Sequence, residues 1–142
     1  SRSTFYRCFS DKFDIVNWSY KRFKNIRLQD RDKYYSFETS LRAQLEHLRE
    51  NRAFYVATLR FRGQNSLYDS IVDTNEEYML ECWHHAHACD PTFDQLVAIR
   101  FSAAGCSYAI EQWLISGCAV DAYDVVSAIC KCIPSDILET LY

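Results

Sequence analysis

Hydrophobic positions recur along this chain at steps of three and four, and the pattern resolves into a series of helices. Ser36 precedes Phe37, Leu41, Leu45 and Leu48, which are spaced four, four and three apart. That is the stripe of an amphipathic helix over 37–49, with Ser36 as N-cap and Glu38 and Thr39 in the first turn. Residues 50–52 break it. A further helix over 53–62 would stack Phe54, Ala57 and Phe61 on one face, with Gly63 as its stop. Residues 66–88 read as one long helix, with Leu67, Ile71, Tyr78, Cys82 and Ala86 in a stripe that Tyr68, Val72, Met79 and Trp83 widen. Its outer face is acidic: Asp69, Asp73, Glu76, Glu77 and Glu81. Asp90 and Pro91 fit the N-cap and first position of the next helix.

That next helix, over 91–116, breaks the amphipathic rule. Its polar residues Arg100, Ser107 and Glu111 fall on one narrow stripe, and nearly everything else is apolar or small, including Leu96, Val97, Phe101, Ala103, Ala104, Gly105, Tyr108, Ile110, Trp113 and Leu114. A helix apolar around so much of its circumference must be buried on two sides. One side can face the core; the other needs a second surface, most simply a partner subunit. Gly117 ends the helix. Asp121 then caps 122–132, where Val125, Val126, Ile129 and Ile133 form a stripe, and Pro134 and Ser135 open a last turn over 136–141.

Ahead of these elements lies a different kind of segment. Residues 1–18 read as two short helical pieces meeting at a tight join, the second running over 11–27 with Ser10 as N-cap and Phe13, Val16, Tyr20 and Phe23 on its apolar side. In the first piece Phe5 and Phe9 share a face. Arg2, Ser3, Thr4, Tyr6 and Arg7 offer donors of the kind that reach phosphates and base edges. Lys12 lies in the first turn of the following helix, where its ammonium and the free backbone N–H groups could both meet a phosphate. Residues 29–33 are polar and read as a linker, dividing the chain into 1–28 and 34–142.

The run Thr4, Phe5, Tyr6, Arg7, Phe9, Asp11 and Lys12 resembles the end of the DNA-binding domain in the tetracycline-repressor (TetR) family of bacterial regulators. There an aromatic-bearing recognition helix is followed by a short polar turn and a lysine that opens the next helix. The second half resembles the ligand-binding and dimerisation domain of the same family: Trp113, Leu114, Gly117, Asp121 and the stripe from Val125 to Ile133 match its closing helices. The run from Asn51 to Ile71 is similar to the branch that includes dihydroxyacetone-kinase regulators. The resemblance implies an all-α fold: the tail of a helix-turn-helix over 1–28 and a helical ligand-binding and dimerisation domain over 34–142. It also implies helices ahead of Ser1, so the chain is expected to be part of a longer regulator.

Composition narrows the picture. With 3 Gly and 2 Pro among 142 residues, long helices are favoured over sheet. Three glycines leave little room for a phosphate loop, and no nucleophile or dinucleotide motif is present, so an enzyme is not expected. Residues 1–62 hold 14 Lys and Arg against 7 Asp and Glu, whereas 63–142 hold 2 against 12. A basic beginning joined to an acidic remainder suits a polyanion partner for the former. The 7 cysteines fall mostly on apolar faces and fit a reducing cytoplasm. No apolar run approaches a membrane span, and no membrane partner is expected. His84, His85, His87 and Cys89 cluster, but they lack the partner pair a zinc site requires, so neither metal nor cofactor is expected.

These readings give a DNA-binding regulator that meets a palindromic operator as a homodimer and responds to a small, mostly apolar effector. A helical interaction domain without DNA or ligand is the alternative. The expected DNA contacts are Arg2, Ser3, Thr4, Tyr6, Arg7 and Lys12. The expected effector pocket is lined by Tyr55, Tyr78, Cys82, Trp83, Phe101 and Tyr108. The expected dimer face comprises Ala104, Gly105, Tyr108, Trp113, Leu114, Val125, Val126 and Ile129.

Overall fold

The computed structural model describes residues 21–22, 36–63 and 66–141. The expected DNA contacts, the linker at 29–33 and most of the helix expected over 11–27 lie outside the described residues; Lys21 and Arg22 are helical. The described residues form six α-helices and no strand: α1 (Phe37–Glu50), α2 (Arg52–Leu59), α3 (Leu67–His87), α4 (Phe93–Ile115), α5 (Ala122–Cys132) and α6 (Ser135–Leu138). A 3-10 turn, Glu139–Leu141, closes the chain.

Local chemistry explains most of the boundaries. The Ser36 hydroxyl accepts from the Thr39 N–H, the Ser66 hydroxyl from the Asp69 N–H, and the Asp121 carboxylate from the Tyr123 N–H, each filling an orphan donor at a helix start. α4 starts differently from expectation. Thr92, not Asp90, is its N-cap, and Thr92 and Gln95 form a reciprocal capping box. The box satisfies two backbone donors where Asp90 would satisfy one, and Asp90 instead meets His84 at 2.9 Å. At the other end the Cys118 N–H donates to Trp113 O at 2.9 Å and the Gly117 N–H to Leu114 O at 3.2 Å. This pair of bonds is a Schellman motif, and Gly117 holds its left-handed position at φ +94°.

α2 also departs from expectation. It ends at Leu59, before Gly63, and it buries Tyr55, Val56, Thr58 and Leu59 while Phe54, Ala57 and Phe61 face outward. Both faces of this short helix are apolar enough to serve, so its rotation is decided by its ends. Arg52 donates from Nε to Leu114 O at 2.7 Å and from Nη2 to Ile115 O at 3.2 Å, capping the last carbonyls of α4 with a cation. Ten residues on, the Arg62 guanidinium pairs with the Glu111 carboxylate and also bonds Leu59 O. The two arginines fasten α2 to the C-terminal third of α4.

α4 is the central element, touching α1, α2, α3, α5 and α6, and its most extensive packing is against α3. The core gathers Leu45 and Leu48 of α1, Tyr55 and Leu59 of α2, Leu67, Ile71 and Met79 of α3, and Ile99, Ile110 and Leu114 of α4. Replacing Gly117 with Ala should destabilise the fold by about 1 kcal/mol, because the left-handed backbone costs a residue with a Cβ that much. A thermal or denaturant melt checks this; an unchanged midpoint would show that the motif does not set the end of α4.

Candidate dimerisation face

Arg100, Ser107 and Glu111 of α4 bond to neighbouring elements, Ser107 and Glu111 from buried positions and Arg100 from an exposed one. Arg100 donates to Glu76 at 2.8 Å, Ser107 accepts from Asn75 at 3.0 Å, and Glu111 pairs with Arg62. Glu111 is 4% exposed, yet its charge is answered by a guanidinium that also lies over the Tyr68 ring, 4.1 Å from its centroid. Burial and the Glu111 carboxylate push the Tyr68 hydroxyl above its usual range, against the opposing pull of Arg62. The polar stripe is therefore a seam between α4 and its neighbours α3 and α2. The helix turns its apolar side outward.

That outward side carries Val97, Phe101, Ala104, Gly105, Tyr108 and Ile115, with Phe101 77% and Tyr108 57% exposed. From Phe101 to Val120 the sequence holds one charge, Glu111, and it faces the other way. Depletion of charge over a contiguous apolar area marks the core of a protein interface. Gly105 adds to this. Its φ is unexceptional for a helix and a Cβ there would meet nothing within 4 Å. A mid-helix glycine costs about 1 kcal/mol relative to alanine, and among the described residues no contact requires it.

Beside this ridge, α4 and α5 enclose an open groove of about 600 Å³. Its floor includes Cys106, Ala109, Trp113 and Ile129, and its α5 wall includes Val125, Ala128 and Cys132. The Trp113 Nε1–H is occupied by Val120 O at 2.8 Å, which ties the α4–α5 connection to the groove's end. Ser102 also lines the groove, and its buried hydroxyl has no hydrogen-bond partner among the described residues. Cys106 lies at the α4–α5 contact. Burial, with Cys130 and Cys132 nearby, pushes its thiol up to about 12. Cys130 is pushed up to about 11, again chiefly by burial.

The expected dimer residues thus divide. Ala104, Gly105 and Tyr108 lie exposed on the ridge, and Val125 is half-buried in the groove wall. Leu114 and Val126 belong to the chain's own core. Trp113 and Ile129 are buried as well, though they floor the groove. The rotation of α4 that turns Arg100, Ser107 and Glu111 toward α3 also turns Trp113 and Leu114 inward.

Among the described residues, the two cavities do not gather the six expected effector residues together. Tyr55 sits between α1 and α2, its hydroxyl 3.1 Å from His47 Nε2. Trp83 donates to Cys89 O at the end of α3, and Cys82 packs half-buried on the core. Phe101 and Tyr108 are on the outer ridge. Only Tyr78 of the six lines the small void among α1, α3 and α4, about 20 Å³, together with Phe37, Gln44, Asn75, Met79 and Cys106. The histidines end α3: His84 meets Asp90, His87 stacks on Trp83 at 4.1 Å, and His85 is exposed. Among the described residues no group of three or more His, Cys, Asp or Glu could hold a metal ion. Sequence reasoning missed Arg52, Arg62 and Asn75, whose partners lie 32 to 63 positions away.

The described residues thus form an all-helical domain built on one central helix, with an apolar ridge and a mostly apolar groove left open. Residues 35–135 match the family described as the transcriptional regulator C-terminal region of the TetR type, and the chain belongs to that family. It is a family of regulators and not of enzymes. No curated protein matches the chain. No described helix is long and apolar enough to cross a membrane.

The thiols offer a check on the geometry. At pH 8 exposed Cys89 should be alkylated readily, whereas Cys106, with about 12 as its pKa, should react only on unfolding, because the thiolate is the nucleophile. Peptide mass spectrometry after timed iodoacetamide treatment reads this out; equal rates would place Cys106 outside the core.

Proposed function

We propose that this chain is the larger part of an effector-controlled transcriptional regulator that works as a homodimer in the cytoplasm and reads a two-fold symmetric operator. The observation that carries the reading is the uncharged ridge of α4 with its adjoining α4–α5 groove. A second copy using the same surface would give a four-helix interface of the kind obligate dimers build, on the order of 2,000 Å². A two-fold axis there matches a palindromic DNA site. Arg2, Ser3, Thr4, Tyr6, Arg7 and Lys12 are the proposed DNA contacts, supported by their order and by the basic balance of residues 1–62.

The proposed effector is a small, mostly apolar compound. Support comes from the void beside Tyr78, where Gln44 and Asn75 place amides among Phe37, Leu41 and Met79. At about 20 Å³ it holds roughly a water. An effector entering there would have to part α1 from α3 and α4. Since α1 continues from residues 1–35, that movement is a route by which ligand and DNA affinities could be coupled.

A gel shift with the full-length parent and its own upstream region tests the DNA reading. One discrete complex that a dyad-symmetric fragment competes away is the expected result; no complex at micromolar protein would overturn it. Lys12→Ala should weaken every sequence about equally and reduce the salt slope by roughly 0.9, one phosphate contact. A slope that stays put would remove Lys12 from the contact set.

A further inference from the structure

The outer face of α4 is self-complementary about Gly105. The positions that an antiparallel neighbour would meet are 98, 101, 102, 105, 108, 109 and 112, at the alternating steps of helix-on-helix packing. They are symmetric about 105. In an antiparallel pair with its two-fold axis at Gly105, position 101 of one copy faces 109 of the other, 108 faces 102, and 112 faces 98. Each of those pairings sets a large side chain against a small one: Phe101 against Ala109, Tyr108 against Ser102, and Gln112 against Ala98. The large members Phe101 and Tyr108 protrude, and the small members Ser102 and Ala109 line the groove that would receive them.

Resting on the dimer reading above, we propose that α4 pairs antiparallel with α4 of a second copy, with the axis at Gly105. Phe101 then seats over Ala109 of the second copy, and Tyr108 over its Ser102.

Several independent observations fit this kind of partner. Gly105 has open space where its Cβ would be, so its smallness serves an approach from outside the chain. At the crossing it lets two helix backbones come to the near end of the usual 8–10 Å interaxial range. The Ser102 hydroxyl, buried and unpartnered within one chain, lies opposite the one ridge side chain that carries a hydroxyl, Tyr108. Between positions 98 and 112 the two charged residues of α4 pair within the chain, Glu111 with Arg62 and Arg100 with Glu76, and Asp94 lies beyond the paired stretch, so two copies can meet there without repulsion. A two-fold contact requires that if residue i meets j, then j meets i. Three large-to-small pairs about one glycine satisfy that condition.

Sedimentation of the full chain with three variants tests the register. Gly105→Leu fits into open space within one chain, so helicity and melting of the monomer should hold. At the crossing it should weaken the dimer about tenfold or more. Phe101→Ala alone should weaken it comparably. Adding Ala109→Phe should restore association to within about threefold, because the large and small partners have only been exchanged across the axis. Such recovery cannot come from a misfolded chain. Dimers untouched by Gly105→Leu, or a double variant weaker than Phe101→Ala, would overturn the register while leaving the dimer in place. A wild-type chain that is monomeric at micromolar concentration would overturn the dimer reading itself.

Discussion

The inward turn of α4's polar stripe is the constraint from which the rest of the domain follows. Glu111 is a carboxylate in a nearly closed environment, and a buried charge is tolerated only when paired. Arg62 supplies the pairing from the segment after α2, which fixes where α2 ends and which way it is rotated. Arg100–Glu76 and Asn75–Ser107 extend the same seam along α3. Once these three contacts are made, α4 has no freedom left about its axis. Ile99, Ala103, Ile110 and Leu114 enter the core, and Phe101, Gly105 and Tyr108 must face away from it.

This inverts the usual economy of a surface helix, in which the polar stripe is solvated and the apolar stripe buried. Here the polar contacts are spent inside the subunit, where they specify orientation, and the apolar ridge is left over for association. Belonging to a family of regulator C-terminal regions accords with that division. In the proposed reading, one surface holds two copies together and a separate interior is open to a ligand. The two would lie back to back on one helix, with Cys106 lining both the small void and the groove.

Much of the helical layout was legible in the sequence because its signals are local. Ser36, Ser66 and Asp121 cap helices within three residues of themselves, and Gly117 marks a stop that only its own backbone angle requires. The misreadings came where two local signals competed. Asp90–Pro91 and Thr92–Gln95 both look like helix starts, and the reciprocal box prevailed. On α2, Phe54 and Phe61 are spaced as plausibly as Tyr55 and Leu59, and arginine anchors to a helix some fifty positions away decided between them. The surplus of apolar residues on α4 was readable, and so was the need for a second surface. Which residues serve it was not, because that depends on a rotation fixed by Arg62, Asn75 and Glu76. The same holds for the aromatic residues collected by type along the chain: Tyr55 and Trp83 are buried, whereas Phe101 and Tyr108 stand on the outer ridge.

Whether the ridge is covered in solution is the most direct test of this account. Hydroxyl-radical footprinting compares side chains by their access to solvent. Phe101, 77% exposed in a single chain, should be strongly protected, while Phe54 on α2, 48% exposed and outside the proposed pairing, should react freely. Dilution until the copies separate should restore Phe101. Reactivities that follow single-chain exposure at every concentration, with Phe101 above Phe54, would contradict the claim that α4 gives its apolar face to a second copy.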